Sequence, residues 1–362
     1  MKQVGELQSE LKDILGELRE SVEVVGAELI KSEQADTARV TLAMSRISMV
    51  ARKFLFFVPE IANARTAEVE LNGSLSALET QKWAELTSEA THSRTWMTQW
   101  SAIETLIRNQ IPPQRRKLFK PSVATDDISI SQNMVNDQLL DSLYKTLNNT
   151  KQNETACEHG CFADIAFPQS VFIEHVHAAR RILLARRPRH PVRFLDVGCG
   201  GGLKVLSASA FFDRADGLEF DPGYVAAAET LFKNTRADRC NVIEADGLNY
   251  AHYDNYDVVY FYRPMRHIEM LRQLEDQIIK TVRPGTLIIA PYTIFEHRFK
   301  ELGCARVERQ IYITQVSQSD ADKLRRDAEF TGSFAQFPPP IASTIWDPIL
   351  KASRAMGFKA GV

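Results

Sequence analysis

Apolar residues recur at alternating three- and four-residue steps through Val4, Leu7, Leu11, Ile14, Leu18 and Val25, with Ser21 interrupting the series. That spacing makes one stripe of a helix, flanked by Glu6, Glu10, Lys12, Glu17 and Arg19, and reads as a coiled-coil heptad seam. A second helical period covers residues 37–57 through Val40, Leu42, Met44, Ile47, Val50 and Leu55, and Pro59 is expected to end it. A third runs from Leu75 to Ile111, holds Trp83, Trp96 and Trp100, and stops at Pro112-Pro113. No useful strand-like alternation precedes residue 120. Residues 1–120 are therefore predicted to be all-helical, with a role in oligomerisation or in capping a substrate site.

Residues 121–165 turn polar, with Asp126-Asp127, Asn148-Asn149 and some helix around residues 133–147. They are expected to form a linker and an active-site loop. From Phe167 the pattern changes again. A helix over residues 171–187 precedes the buried run Val192–Asp196, and strand-like runs follow at residues 215–219, 241–244, 256–262, 286–291 and 309–315. Helical stretches at 223–233 and 268–282 lie between them. Strands alternating with helices predict a doubly wound α/β domain with a mostly parallel sheet over residues 166–318. Residues 319–362, with Phe337-Pro338-Pro339-Pro340, form an extension that folds over the site or packs on the helical region.

Bulk properties narrow the class. A length of 362 residues suggests about two domains. Forty-four basic residues against 46 acidic ones leave a net charge of −2, with no global pull toward nucleic acid or anionic lipid. Five cysteines, an odd number, argue for a reducing compartment over a disulfide-stapled secreted module. The first thirty residues contain no continuous apolar core, and no run approaches the ~18–20 residues of a membrane helix. A cytoplasmic location without membrane association is expected.

The chemistry concentrates in Phe194-Leu195-Asp196-Val197-Gly198-Cys199-Gly200-Gly201-Gly202-Leu203, where a strand ends at an aspartate and turns through glycines into a helix. Glycines there let a ligand approach the backbone, at the carboxyl end of the sheet where open α/β folds bind ligands. Strand two ends in Glu219-Phe220, whose carboxylate suits a pair of ribose hydroxyls, and strand three in Asp246-Gly247, an acceptor for an exocyclic amine. Any one of these carboxylates alone also reads as a helix cap. Their recurrence at three successive strand ends points to a binding site.

This half resembles the class I, Rossmann-like S-adenosylmethionine-dependent methyltransferases over residues 168–316. The resemblance implies a seven-stranded sheet and S-adenosylmethionine as cofactor. It places the cofactor's amino-acid moiety on the loop Asp196–Gly202, with Gly198, Gly200 and Gly202, its ribose on Glu219 and its adenine on Asp246. Phe220, Gly247 and Tyr262 complete the expected contacts. A nicotinamide dehydrogenase would need a third glycine where Leu203 stands, and no Gly-Lys-Ser or Gly-Lys-Thr of a phosphate loop follows.

Methyl transfer is an in-line displacement, so alignment dominates and a general base is needed only for a weakly nucleophilic acceptor. After strand four stand Tyr260-Phe261-Tyr262-Arg263-Pro264-Met265-Arg266-His267, which departs from the Asn-Pro-Pro-aromatic pattern of base-amine methylation. Tyr262, Arg263 and His267 are the catalytic candidates. Arg263 and Arg266 suit a carboxylate or phosphate on the acceptor, and His267 a base; alternatively the arginines solvate a loop and His267 caps a helix. At most one of His175 and His177 faces the site. Cys157, His159 and Cys161 form a mobile loop over the cofactor mouth in preference to a metal site, since no fourth ligand is visible. Basic clusters at Arg115–Lys120 and Arg180–Arg189 raise nucleic acid only weakly. The expected activity is methylation of an oxygen or nitrogen on a small molecule, with a protein or RNA acceptor, or a catalytically silent cofactor-binding scaffold, as alternatives. A homodimer through the N-terminal helices is also expected.

Overall fold

The computed structural model describes residues 2–119, 127–148, 150–163, 165, 167–332 and 344–359. Residues 121–126 of the expected linker and the Phe337–Pro340 run lie outside these. Two compact units emerge, Met1–Arg115 with Pro339–Val362, and Arg116–Pro338. The 121–165 stretch, expected as a linker, thus falls within the second unit. The extension 319–362 is not one element either but is divided between the two.

The first unit is built from α1 (Val4–Leu29), α2 (Thr37–Asn72), α3 (Ala77–Thr98), α4 (Trp100–Arg108) and the helix Asp347–Ala355. Every residue of the heptad stripe is buried, against α2, α3 and the helix Asp347–Ala355 of the same chain. The predicted coiled-coil seam is therefore the core of an intramolecular bundle. Each fully buried Leu or Ile there contributes roughly 1.5–3 kcal/mol. The α1–α2 turn is pinned by buried Glu28, which accepts from Lys31 Nζ at 2.7 Å, Arg39 Nη1 at 3.1 Å and the Asp36 amide at 3.1 Å.

Pro59 does not end the second helix, which continues to Asn72. A proline forfeits the hydrogen bond to the carbonyl four residues back, here that of Leu55. Leu55 is 55% exposed, so the missing bond falls on the solvent side of the helix, where its loss is least costly. The third predicted helix is split at Gln99 into α3 and α4. Ser76 and Glu79 cap α3 reciprocally, each accepting from the other's amide at 3.2 and 2.8 Å.

The second unit opens with α5 (Asp127–Leu147), α6 (Glu154–Glu158) and α7 (Gln169–Ala185). It then alternates β1 (Arg193–Val197), α8 (Leu203–Ala208), β2 (Arg214–Glu219), α9 (Pro222–Thr235), β3 (Cys240–Glu244), β4 (Val258–Phe261), α10 (Ile268–Thr281), β5 (Leu287–Ile289) and α11 (Thr293–Arg298). The hairpin β6 (Cys304–Glu308) and β7 (Ile311–Thr314), and α12 (Gln318–Ala328), follow. The sheet has seven strands in the order β3-β2-β1-β4-β5-β7-β6. Pairings from β3 to β5 are parallel, and β7 is antiparallel to both β5 and β6. The predicted run 309–315 supplied β7, whereas β6 carried no separate signal.

Central strands are apolar throughout because both sheet faces are covered. Phe194, Tyr260, Leu287 and Ile289 enter one core, and Leu195, Val197, Val259, Phe261 and Ile288 the other. Strand order reverses between β1 and β4, and the crevice beyond their carboxyl ends is where such sheets take ligands. No helix among the described residues is long and apolar enough to cross a membrane.

Candidate functional site

The chain leaves β1 through a turn that only glycine fits. Gly198 has φ +78°, and a Cβ there would lie 2.7 Å from Pro264 Cβ, so the turn is pressed against the segment following β4. A Cβ on Gly201 would collide with the Tyr144 hydroxyl and the Asn148 amide. The Gly198 and Cys199 amides donate to the Leu218 carbonyl at 2.8 and 3.2 Å, locking the turn to the end of β2.

Asp196 is buried at the end of β1, opposite Tyr260 of β4, and lines the cleft with Gly198 and Gly200. Burial, with the Asp196 charge adding to it, pushes the Tyr260 hydroxyl well above its ordinary pKa. Glu219 is buried as well. Its Oε2 accepts from the Gly200 amide at 2.8 Å, and its Oε1 from the Phe220 and Asp221 amides at 2.9 and 3.0 Å. Burial raises its pKa, and these three donors pull against that rise. A carboxylate has about four acceptor positions. One is left for a ligand hydroxyl, where the sequence suggested a group open to two.

Asp246 Oδ1 accepts from the Leu248 amide at 2.9 Å and Oδ2 from Asn249 Nδ2 at 2.7 Å, so the carboxylate also caps its own turn. Gly247 and Phe220 line the cleft. The segment 152–162 lies over this end. The Asn153 amide donates to Asp221 Oδ2 at 2.6 Å, Cys161 pairs with Met265, and the Phe162 amide donates to the Pro264 carbonyl at 3.1 Å. Its three suspected ligands diverge: Cys157 meets Arg266, His159 faces Asp246, and Cys161 lines the cleft. Burial pushes the Cys161 thiol up to about 12.

The acceptor candidates separate. Tyr262 lines the cleft with its ring centroid 4.5 Å from that of Phe167. Arg263 stands exposed at the cleft with φ +48°, its guanidinium 5.6 Å from the Phe162 ring centroid. Arg266 is turned aside to Cys157 Sγ and to Gln152 Oε1 at 3.2 Å. His267 is exposed at the start of α10, is not among the lining residues, and packs over Gly160. Its place in sequence suggested a base, but the helix start turns it away from the cleft; nor does its side chain cap the helix. His175 is a core residue, with Nδ1 2.7 Å from the Val171 carbonyl and Nε2 3.2 Å from Gln310 Oε1. Arg181 of the second basic cluster is buried and donates to the carbonyls of Arg116, Lys117 and Ala328.

Sequence reasoning missed the contribution of α5. Tyr144 and Asn148, four residues apart and so on one helical face, are joined at 2.9 Å and close the glycine turn from above. That i, i+4 spacing was the only signal available.

Residues 194–285 match the model of a methyltransferase-domain family, about a quarter of the chain. No curated protein matches it in sequence. Among solved structures, an RNA methyltransferase from Salinibacter ruber in complex with S-adenosyl-L-homocysteine is 23% identical over 35% of this chain and 76% of that one, with a TM-score of 0.28. A sugar N-methyltransferase from Streptoalloteichus is 21% identical over 34% of this chain and 49% of its own, with a TM-score of 0.28. An amino pentose methyltransferase from Micromonospora echinaspora is 18% identical over 38% and 62%, with a TM-score of 0.27. This chain thus spans about half the length of the second and three-fifths of the third. With the strand order and the glycine turn already in place, the family match makes residues 194–285 a methyltransferase domain.

Proposed function

We propose that the chain transfers a methyl group from S-adenosylmethionine to an oxygen or nitrogen of a small acceptor that carries an anionic group. The residues present fit the cofactor: buried carboxylates for an ammonium and a hydroxyl, bare glycine backbone, and an aromatic face. Asp196 and Gly198–Gly202 would hold the amino-acid end, Glu219 the ribose, and Phe220, Asp246 and Gly247 the adenine. When bound, the cofactor supplies a methyl group already activated on sulfonium, leaving the protein to orient the acceptor and exclude water.

Arg263 carries the acceptor half of the proposal. It is at the cleft mouth, and among the described residues no carboxylate lies within ion-pair reach of it. Two acids of the same cleft are engaged elsewhere: Asp137 accepts from Ser170 and Asp141 from Lys145. A guanidinium fork matches a carboxylate or phosphate bidentately. Left-handed backbone costs about 1–2 kcal/mol at a residue with a Cβ, and such strain gathers at functional sites. With His267 outside the cleft, an amine acceptor that enters in its neutral form, having given its proton to solvent, suits the site more simply than a hydroxyl, which must lose a proton during attack.

Incubation with methyl-labelled cofactor and separate metabolite, peptide and RNA pools tests this. Label in anionic metabolites supports the proposal. Label confined to peptide or RNA replaces the acceptor class. No transfer despite S-adenosylhomocysteine binding favours a silent scaffold.

A further inference from the structure

We propose that His159 acts as a built-in surrogate for the cofactor's purine, stacked on the cleft residue Phe220 at the cleft's edge and displaced when cofactor enters. The proposal rests on the methyltransferase reading above. The His159 imidazole stacks on Phe220 with ring centroids 4.3 Å apart and planes 18° from parallel. Its Nε2 lies 3.4 Å from Asp246 Oδ1. An aminopurine offers the same two features, a flat aromatic face and a polar ring edge directed at a carboxylate.

The two rings compete for Asp246. That carboxylate already accepts from the Leu248 amide and from Asn249 Nδ2. Two of its acceptor positions remain, and the His159 ring edge, with Nε2 3.4 Å from Oδ1, stands in front of them, so an exocyclic amine reaches them only when the ring has left. The seated ring is not fully satisfied either, because its Nε2 is shut away from water with no hydrogen bond of good geometry. A buried polar atom left so is a standing cost that displacement relieves.

The surroundings let the ring leave without dismantling the segment. Gly160, at φ +85°, follows His159 directly, and its carbonyl accepts from the Arg266 amide at 2.8 Å. Gln152 Nε2 donates to the Cys161 carbonyl at 3.1 Å, closing the segment on itself. On the other side the His159 amide donates to the Thr155 carbonyl at 2.9 Å, so the backbone is anchored on both sides and rotation about the side-chain bonds is enough to vacate the seat. Cofactor then binds only the fraction of molecules in which the ring is out, and apparent affinity falls by that fraction.

Calorimetric titration of the full chain, wild type and His159→Ala, with S-adenosylhomocysteine and with adenosine tests the proposal. Removing the ring should tighten both ligands about tenfold, equivalent to 1.4 kcal/mol. Unchanged or weaker binding by His159→Ala overturns the surrogate and makes His159 inert or part of the wall. Tightening of S-adenosylhomocysteine without adenosine also overturns it, because the gain would then lie away from the purine. Binding by wild type separates those failures from failure of the cofactor reading itself, which is indicated only when neither protein binds although circular dichroism shows both folded.

Discussion

Glu219 Oε2 and the Gly200 amide are joined at 2.8 Å, so the end of β2 holds the middle of the glycine turn in place. The buried carboxylate thereby shapes the turn as well as facing the cleft. Desolvation nonetheless wins over its three amide donors and raises its pKa.

This gives stability a defined pH dependence. Unfolded, the group titrates near 4.5, and folded it titrates higher. The native state holds the proton more tightly, so stability should fall as pH rises from 4.5 through the raised value. Glu219→Gln should flatten that slope in urea unfolding measured at several pH values. An equal slope in the variant would assign the titration to another group.

Gly198→Ala combines a left-handed backbone with a collision at Pro264 Cβ, 2.7 Å away. Gly303 also has positive φ, +72°, but nothing within 4 Å, so Gly303→Ala carries only the backbone strain. The control should lose about 1 kcal/mol and keep S-adenosylhomocysteine binding. Gly198→Ala should lose more stability and bind no ligand. Equal losses in denaturant titrations would mean that the turn has room to give.

Pro59→Ala restores the missing donor in the middle of α2. Proline in a helix interior is about 3 kcal/mol worse than alanine, and the solvent-side position of Leu55 lowers that cost. The variant should gain about 1–2 kcal/mol in chemical denaturation of the helical unit. A loss would show that neighbouring helices require the proline's local geometry.

Arg263→Gln should raise the acceptor KM about tenfold or more, the effect of losing a charged hydrogen bond. S-adenosylhomocysteine affinity should stay as in the wild type, because Arg263 is assigned to the acceptor. A matching loss of cofactor affinity would move Arg263 to the cofactor side.

The sequence is most legible where one physical signal has no competitor. The Val4–Val25 stripe keeps a helical period interrupted only at Ser21, and the central strands are apolar on both faces. The edge strand β6 was missed because Cys304-Ala305-Arg306-Val307-Glu308 is half polar and is held by its pairing with β7. Helix α5 stands in a stretch whose polar composition reads as linker, and Val135, Leu139 and Leu143, though on one helical face, stay exposed, so no core packing marks it. Strand-end carboxylates were visible as acids at Glu219 and Asp246. Their engagement by local amides and by His159 depends on backbone geometry and on residues distant in sequence. His267 misled for the converse reason, since closeness along the chain to Tyr262 does not bring its ring into the cleft.

Residues 344–359 rejoin the helical unit after the methyltransferase domain. Trp346 is fully buried there, stacked on Trp100 at 5.5 Å, and its Nε1 donates to the Trp96 carbonyl at 3.0 Å. Gln110 Nε2 donates to Ser353 Oγ at 2.8 Å, and the Pro348 backbone lies 2.9 Å from where a Cβ on Gly26 would stand. The catalytic domain is therefore an insertion within the helical one. During synthesis, α1 to α4 emerge early with their tryptophan site unfilled, while the inserted domain has its whole sheet available before residue 346 is made. The helical unit begins first and finishes last, so a nascent chain stalled inside the insertion would carry an open apolar groove for chaperones to find.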